Sequence, residues 1–214
     1  MADTTVTVQT IIANTIARQK DPDKNTWADA ELLKYLNKAR EFVYNLLILL
    51  QSEIGITDGT ITMVAVTQEY TLSGNLDNFW AMQAEGVYFS TVGTPLTPIT
   101  KADAIRLGTT TTDTPPTMFY LTATKLGVCS IPTTTEVSVD ATLHCRHYAY
   151  QADLALTDTM PWKNIFNTPI SFFVDSMAFI RNEVGSAEVS AIYNTLETTV
   201  LKIINIRSGK GVTA

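Results

Sequence analysis

Thr26–Ser52, TWADAELLKYLNKAREFVYNLLILLQS, is the stretch on which the fold turns. Leu32, Leu36, Ala39, Val43, Leu46 and Leu50 recur at spacings of four and three, which aligns them on one face of a helix. Thr26 is placed to cap that helix, with Asp29 three residues later as a variant of the capping box, and Gly55 marks its end. Beyond Phe42 the run Phe-Val-Tyr-Asn-Leu-Leu-Ile-Leu-Leu adds a second apolar face. One small domain covers one face of a helix, so the second face calls for another partner. Phe42, Leu46, Leu49 and Leu50 are therefore expected in the helical core or in a contact with a neighbouring copy.

Outward from this helix, Val6–Lys20 reads as a first helix with Val8, Ile11, Ile12, Thr15 and Ile16 on one side, stopped by Asp21-Pro22-Asp23. From Ile56 to Tyr150 threonine, valine and aromatic residues dominate. Strands are expected near Thr60–Val66, Glu69–Leu72, Ala84–Thr91, Met118–Thr122, Gly127–Ile131 and Ala141–Tyr150. A short helix is expected between Thr97 and Arg106 with Thr100 as its cap, and Thr109–Pro116 (TTTTDTPP) reads as an exposed loop. Helical periodicity returns after Met160-Pro161-Trp162. Thr168-Pro169 reads as a cap followed by proline at the first helical position, and a last helix runs from Ala187 to about Arg207.

The expected fold class is α+β: a four-helix bundle built from two N-terminal and two C-terminal helices, with an inserted β-rich domain. Residues 1–55 and 160–214 would form the bundle and residues 56–159 the insertion. Trp80, Tyr88, Phe89, Phe119, Tyr120 and Tyr148 are expected to build a core for the inserted part.

The 214 residues carry a net charge of −6, with 45% hydrophobic and 17% charged residues. That balance argues against a sequence-reading nucleic-acid binder, whose phosphate contacts need concentrated Lys and Arg. It suits a protein that surrounds DNA without gripping it. MADTTVTVQT has neither the basic nor the apolar region of a signal peptide, and the apolar run near Phe42–Leu50 is too short to span a bilayer, so synthesis in the cytoplasm and no membrane partner are expected.

Motifs for chemistry are sparse. His144 and His147 lie in one expected strand, where alternation puts Cys145 and His147 on a common face. Cys129, Cys145 and His147 would be a zinc set if Cys129 came alongside, but no CxxC or HxxxH spacing supports it, and buried thiols are the expected reading. Nucleophile motifs such as GxSxG and SxxK are absent, and Gly209-Lys210-Gly211 lacks the strand and spacing of a phosphate loop. Asp21 with Asp23, and Asp153 with Asp158, fall near turns or helix ends, where carboxylates cap and solubilise. Phe79-Trp80, Phe119-Tyr120 and Tyr148/Tyr150 could form a stacking platform, yet without interleaved basic residues they read as core and interface. No enzymatic activity, cofactor or metal is expected.

The string Thr26-Trp27-Ala28-Asp29-Ala30-Glu31-Leu32-Leu33-Lys34-Tyr35-Leu36-Asn37-Lys38-Ala39 resembles the second helix of head-to-tail connector adaptor proteins of tailed bacteriophages, especially the short-tailed ones. The β-rich insertion, with its Thr114-Pro115-Pro116 entry and Ile131-Pro132 strand exit, is similar to the inserted domain of such adaptors, and Met160-Pro161-Trp162 with the closing helix pair fits the same layout. The resemblance implies a structural virion protein of the phage neck: a dodecameric ring of this chain that joins the portal protein to the tail or nozzle protein and lets DNA pass through its lumen. Few residues follow the last expected helix, so loops rather than a C-terminal arm would make the docking contacts. Thr111, Thr112 and Asp113 in the exposed loop are the expected contact with neighbouring rings. The alternative is a tail-associated binding module of β-sandwich type that recognises carbohydrate or protein through Trp80 and nearby tyrosines.

Overall fold

The computed structural model describes residues 6–21, 26–89, 93–108, 111–112, 115–139, 141–162, 165–180 and 186–207. The chain begins with α1 (Val8–Arg18) and α2 (Asp29–Leu49), then β1 (Ile56–Thr62), β2 (Glu69–Thr71), β3 (Phe79–Phe89) and β4 (Thr97–Pro98). There follow α3 (Lys101–Leu107), β5 (Thr111–Thr112), β6 (Met118–Leu121), β7 (Lys125–Cys129) and β8 (Ile131–Pro132). The last elements are α4 (Thr134–Val139), β9 (Thr142–Ala149), α5 (Asn167–Phe179) and α6 (Ser186–Arg207). Two compact units result, one from Met1–Ile54 with Ala152–Ala214, the other from Gly55–Gln151.

In the first unit α5 is the hub, packing on α2 above all and then on α6 and α1. It can do so because it is apolar nearly all round: Ile170, Phe173, Val174 and Ala178 are buried. α2 buries Leu32, Leu36, Ala39, Val43, Leu46 and Leu47, and α1 buries Val8, Ile11, Ile12, Thr15 and Ile16. The open amides of the first turn of α1 find partners locally and at long range. Val8 N donates to Asp158 O at 2.9 Å, Gln9 N to Leu156 O at 3.0 Å and Thr10 N to Thr7 Oγ1 at 3.2 Å. Asn37 of α2 clamps the same extended segment, donating from Nδ2 to Leu154 O and accepting from Leu154 N.

This corrects the expected fold class. The chain is an α+β mix and not a clear four-helix bundle carrying an inserted domain. At 1.5 Å per residue α1 and α5 are about 16 and 20 Å long against about 32 Å for α2, and the helices gather on α5 rather than sharing their contacts evenly. Extended chain, residues 154–160, covers part of α1 and α2, and α3 and α4 stand among the strands. α6 buries only Leu196, Val200 and Ile204 among its described side chains.

The expected caps changed too. α2 starts at Asp29 with Ala28, which has no polar side chain to offer, at the cap position, and ahead of it the Asp21 carboxylate accepts from both Thr26 N and Trp27 N. α5 starts at Asn167, ahead of the expected Thr168-Pro169 start. Thr100, by contrast, caps α3 by accepting from Asp103 N at 3.1 Å.

In the second unit β9 is the centre of a three-stranded sheet ordered β1-β9-β3, antiparallel throughout. A four-stranded sheet is ordered β2-β7-β6-β4, with β4 parallel to β6. One core takes side chains from both sheets, among them Ile61, Tyr70, Phe89, Phe119, Val128 and Leu143. Of the aromatic residues expected in a core of this part, Phe89 and Phe119 belong to this cluster, Tyr120 is buried in a smaller one with Ala104 and Cys129, Tyr148 is buried, Tyr88 is half-buried and Trp80 is 55% exposed. Part of the expected Thr109–Pro116 loop is strand: Thr111–Thr112 pairs in parallel with Ile131–Pro132.

Candidate interaction surfaces

On α2 the four residues singled out in the sequence part company. Leu46 is buried. Phe42 is half-buried and meets the Tyr193 ring edge-on at 5.3 Å, so α6 covers it. Leu49, at 76% exposure, and Leu50 lie open at the end of the helix. The monomer therefore covers most of the second apolar face itself, and Tyr44 is covered by Trp162, whose ring stacks on it at 6.1 Å.

Further apolar side chains open to solvent lie on α5 and α6. Phe172 and Phe179, seven residues apart, share a face of α5, and Ile206 is exposed near the end of α6. Phe179 is 79% exposed and borders a cavity of about 430 Å³ with Ile180, Ile192, Arg18 and Asp175. Asp175 is held there by Arg18 Nε at 2.7 Å and by the buried Thr15 hydroxyl, which donates to it at 2.6 Å. This pairing ties α1 to α5 beside the open Phe179. The sequence signal for these residues was their helical period, which does not separate the inner from the outer face of a helix that is apolar all round.

In the second unit Trp80 and Tyr150 stand side by side, ring centroids 5.5 Å apart, each 55% exposed. Thr111 and Thr112 belong to β5, and Asp113 lies outside the described residues.

The reactive residue types are dispersed or paired. Cys129 packs with Ala104 and Tyr120 on the four-stranded sheet, while Cys145 lies in the shared core on β9. His147 is buried against Phe79, its ring nitrogens 3.4 Å from Cys145 O and 3.3 Å from Asp77 O. Cys129, Cys145 and His147 are thus not brought together, and no group of three or more His, Cys, Asp or Glu residues suited to a metal occurs among the described residues. Burial pushes the Cys145 thiol up to about 12, which keeps it protonated and unreactive at neutral pH. Asp153 lies 3.7 Å from the buried Arg40 guanidinium, and Asp158 Oδ2 accepts from Ala155 N.

A dense charged network is built on Glu69. Glu69, Gly127 and Tyr120 are register neighbours across β2, β7 and β6. The glycine leaves room for the Tyr120 ring to cross it, and the hydroxyl reaches Glu69 Oε1 at 3.0 Å. Lys101 Nζ reaches the same oxygen at 2.9 Å and Lys125 Nζ the other at 3.1 Å. Hydrogen bonds from the two ammoniums and the phenol hold the Glu69 carboxyl down at about 2. Every polar group in this set is engaged with another, so its chemistry is that of a clamp fixing α3 on the sheet.

Among the described residues no helix is long and apolar enough to cross a membrane. No family model and no curated protein matches this chain.

Proposed function

We propose that the protein is a structural subunit that self-associates into a ring, serving as a head-to-tail adaptor of a tailed bacteriophage. Its partners in this reading are further copies of itself, the portal protein and the tail or nozzle protein, with DNA passing through the lumen. The observation that carries the proposal is the set of large apolar side chains left open on three helices, Leu49, Phe172, Phe179 and Ile206. Obligate interfaces between subunits are large and apolar, and a head-to-tail contact that closes makes a ring. The acidic balance of the chain suits a lumen that must not hold DNA.

Electron microscopy of the concentrated protein, alone and with portal-bearing particles, tests the reading. Annular particles, lost in Phe179→Asp and Leu49→Asp variants that melt like the parent, are the expected result. A chain that stays monomeric in both settings overturns it.

The Trp80–Tyr150 pair favours a second reading, a binding module that stacks sugar rings on exposed aromatic faces. Glycan binding by the isolated protein, abolished in Trp80→Ala, would favour that reading over the ring.

A further inference from the structure

The strands at the sheet edges differ in how they guard their open backbone. β3 is broken by register shifts at Phe79/Ala81 and Met82/Val87, and its far end is covered by the Tyr88–Pro95 bridge and by Leu96 N, which donates to Val87 O at 2.7 Å. β2 is three residues long, and β4, β5 and β8 are two each, with a proline in β4 and in β8. Bulges, shortness and proline keep an edge from pairing with another chain. β1 has none of them. It runs for seven residues, Ile-Thr-Asp-Gly-Thr-Ile-Thr, holds one register with β9 from end to end, and contains neither proline nor lysine.

The ladder fixes which of its groups are open. Met63 N donates to Ala141 O at 2.7 Å, one step beyond the Thr62–Thr142 pair. Hydrogen-bonded and non-hydrogen-bonded pairs alternate in an antiparallel ladder, so Thr57, Gly59 and Ile61 direct their N–H and C=O groups at β9. Ile56, Asp58, Thr60 and Thr62 turn theirs outward, where among the described residues they meet no partner. The side chains of Asp58, Thr60 and Thr62 are exposed. Gly59 answers to the inner side of the strand, since a Cβ there would lie 2.6 Å from Leu76 Cδ2.

We infer that β1 pairs antiparallel with β1 of a second copy, about a twofold axis at Gly59. A row of open backbone groups at strand spacing is matched by another extended strand. The strand is its own complement in one register. Setting Ile56 opposite Thr62 of the second copy, and Asp58 opposite its Thr60, pairs every outward residue of both strands and makes about eight hydrogen bonds. Sliding the copies to put Asp58 against Asp58 brings the only charges of the two strands face to face. Sliding them the other way, Thr60 against Thr60, leaves Ile56 unmatched. The full register instead sets a threonine hydroxyl against each carboxylate, which keeps its own Arg146 Nε at 3.5 Å. The product is one continuous sheet ordered β3-β9-β1-β1-β9-β3. This contact closes on two copies, so it is separate from the head-to-tail contact of a ring and does not rest on that reading.

The test uses the full chain carrying Phe179→Asp, which removes a contact proposed for the ring. Sedimentation equilibrium is expected to show monomer and dimer, with association weakened about tenfold or more by Thr60→Pro because each dimer loses about two hydrogen bonds. The Thr60 amide points away from β9, so this variant is expected to melt like its parent. Asp58→Cys/Thr60→Cys, oxidised, is expected to give a disulfide-linked dimer on a denaturing gel, and the out-of-register pair Asp58→Cys/Thr62→Cys to give none. A chain that sediments as monomer at every concentration, or a dimer that Thr60→Pro leaves intact, overturns the inference and leaves the ring reading untouched. Crosslinking of the out-of-register pair in place of the other overturns it as well. Should Thr60→Pro fail to fold, the two cysteine pairs decide the matter.

Discussion

Tyr120 reaches Glu69 by lying across Gly127: the three are lateral neighbours on adjacent strands, and the phenol hydroxyl donates to the carboxylate at 3.0 Å over the space a side chain would fill. A methyl group at position 127 would strike the ring itself. Gly127→Ala is expected to destabilise the protein by about 2–3 kcal/mol, in the upper range for overpacking. Urea denaturation measures it, and loss of the hydroxyl contact in a Tyr120→Phe background would leave most of that cost in place.

The carboxylate at the centre of this set makes stability depend on acid. Glu69 is held at about 2, well below the ordinary 4.5, so its contribution is fully present above pH 4.5 and is lost as the pH falls through 2. Partial exposure to water screens the network, so Glu69→Gln is expected to cost about 1–2 kcal/mol at pH 7. Thermal melts from pH 7 down to 2 should show parent and variant converging at the acid end. Parallel curves would exclude the network as their cause.

Asn37 joins α2 to the extended segment by two hydrogen bonds to the backbone of Leu154. Asn37→Ala leaves that amide and carbonyl without their partner and is expected to cost about 1–3 kcal/mol. Limited proteolysis should then cut near residues 152–156 sooner than in the parent.

Thr100 gives α3 its capping oxygen, and α3 in turn carries Lys101 to Glu69. Thr100→Ala is expected to lower stability by about 1 kcal/mol, with Thr100→Ser restoring most of it. Amide exchange in residues 101–107 should quicken in the alanine variant alone.

The Tyr70 hydroxyl braces the turn between β1 and β2, donating to Thr67 O at 2.8 Å and accepting from Val64 N at 3.3 Å, and burial raises its pKa. Tyr70→Phe is expected to cost about 1 kcal/mol and to speed amide exchange at Val64, which donates to that oxygen. An unchanged exchange rate there would mean that the backbone bond from Val66 N to Pro132 O, at 2.9 Å, holds the turn without the hydroxyl.

Periodicity alone made the helical segments legible: Leu32, Leu36, Ala39 and Val43 repeat as a buried face must, and they are buried. Thr100 was readable as a cap because its partner, Asp103 N, lies three residues away. Strand segments could likewise be placed roughly from their β-branched and aromatic content, since that preference is local. What tertiary structure alone decided was everything that depends on distant chain. Thr26 lost its expected capping role because α2 begins at Asp29 and not at Trp27, after a lead-in whose Thr26 and Trp27 amides the Asp21 carboxylate holds. The anticipated bundle gave way to a cluster around α5, with extended segment 154–160 bonded to the start of α1, and neither shows in hydrophobic spacing. Trp80 and Phe119 read alike as strand aromatics, yet one is open and the other buried, which depends on the sheet each joins. The contact surfaces follow the same rule. Sequence composition shows that apolar residues are in excess, but only packing determines which of them, Leu49 and Phe179 rather than Leu46 and Phe173, remain uncovered.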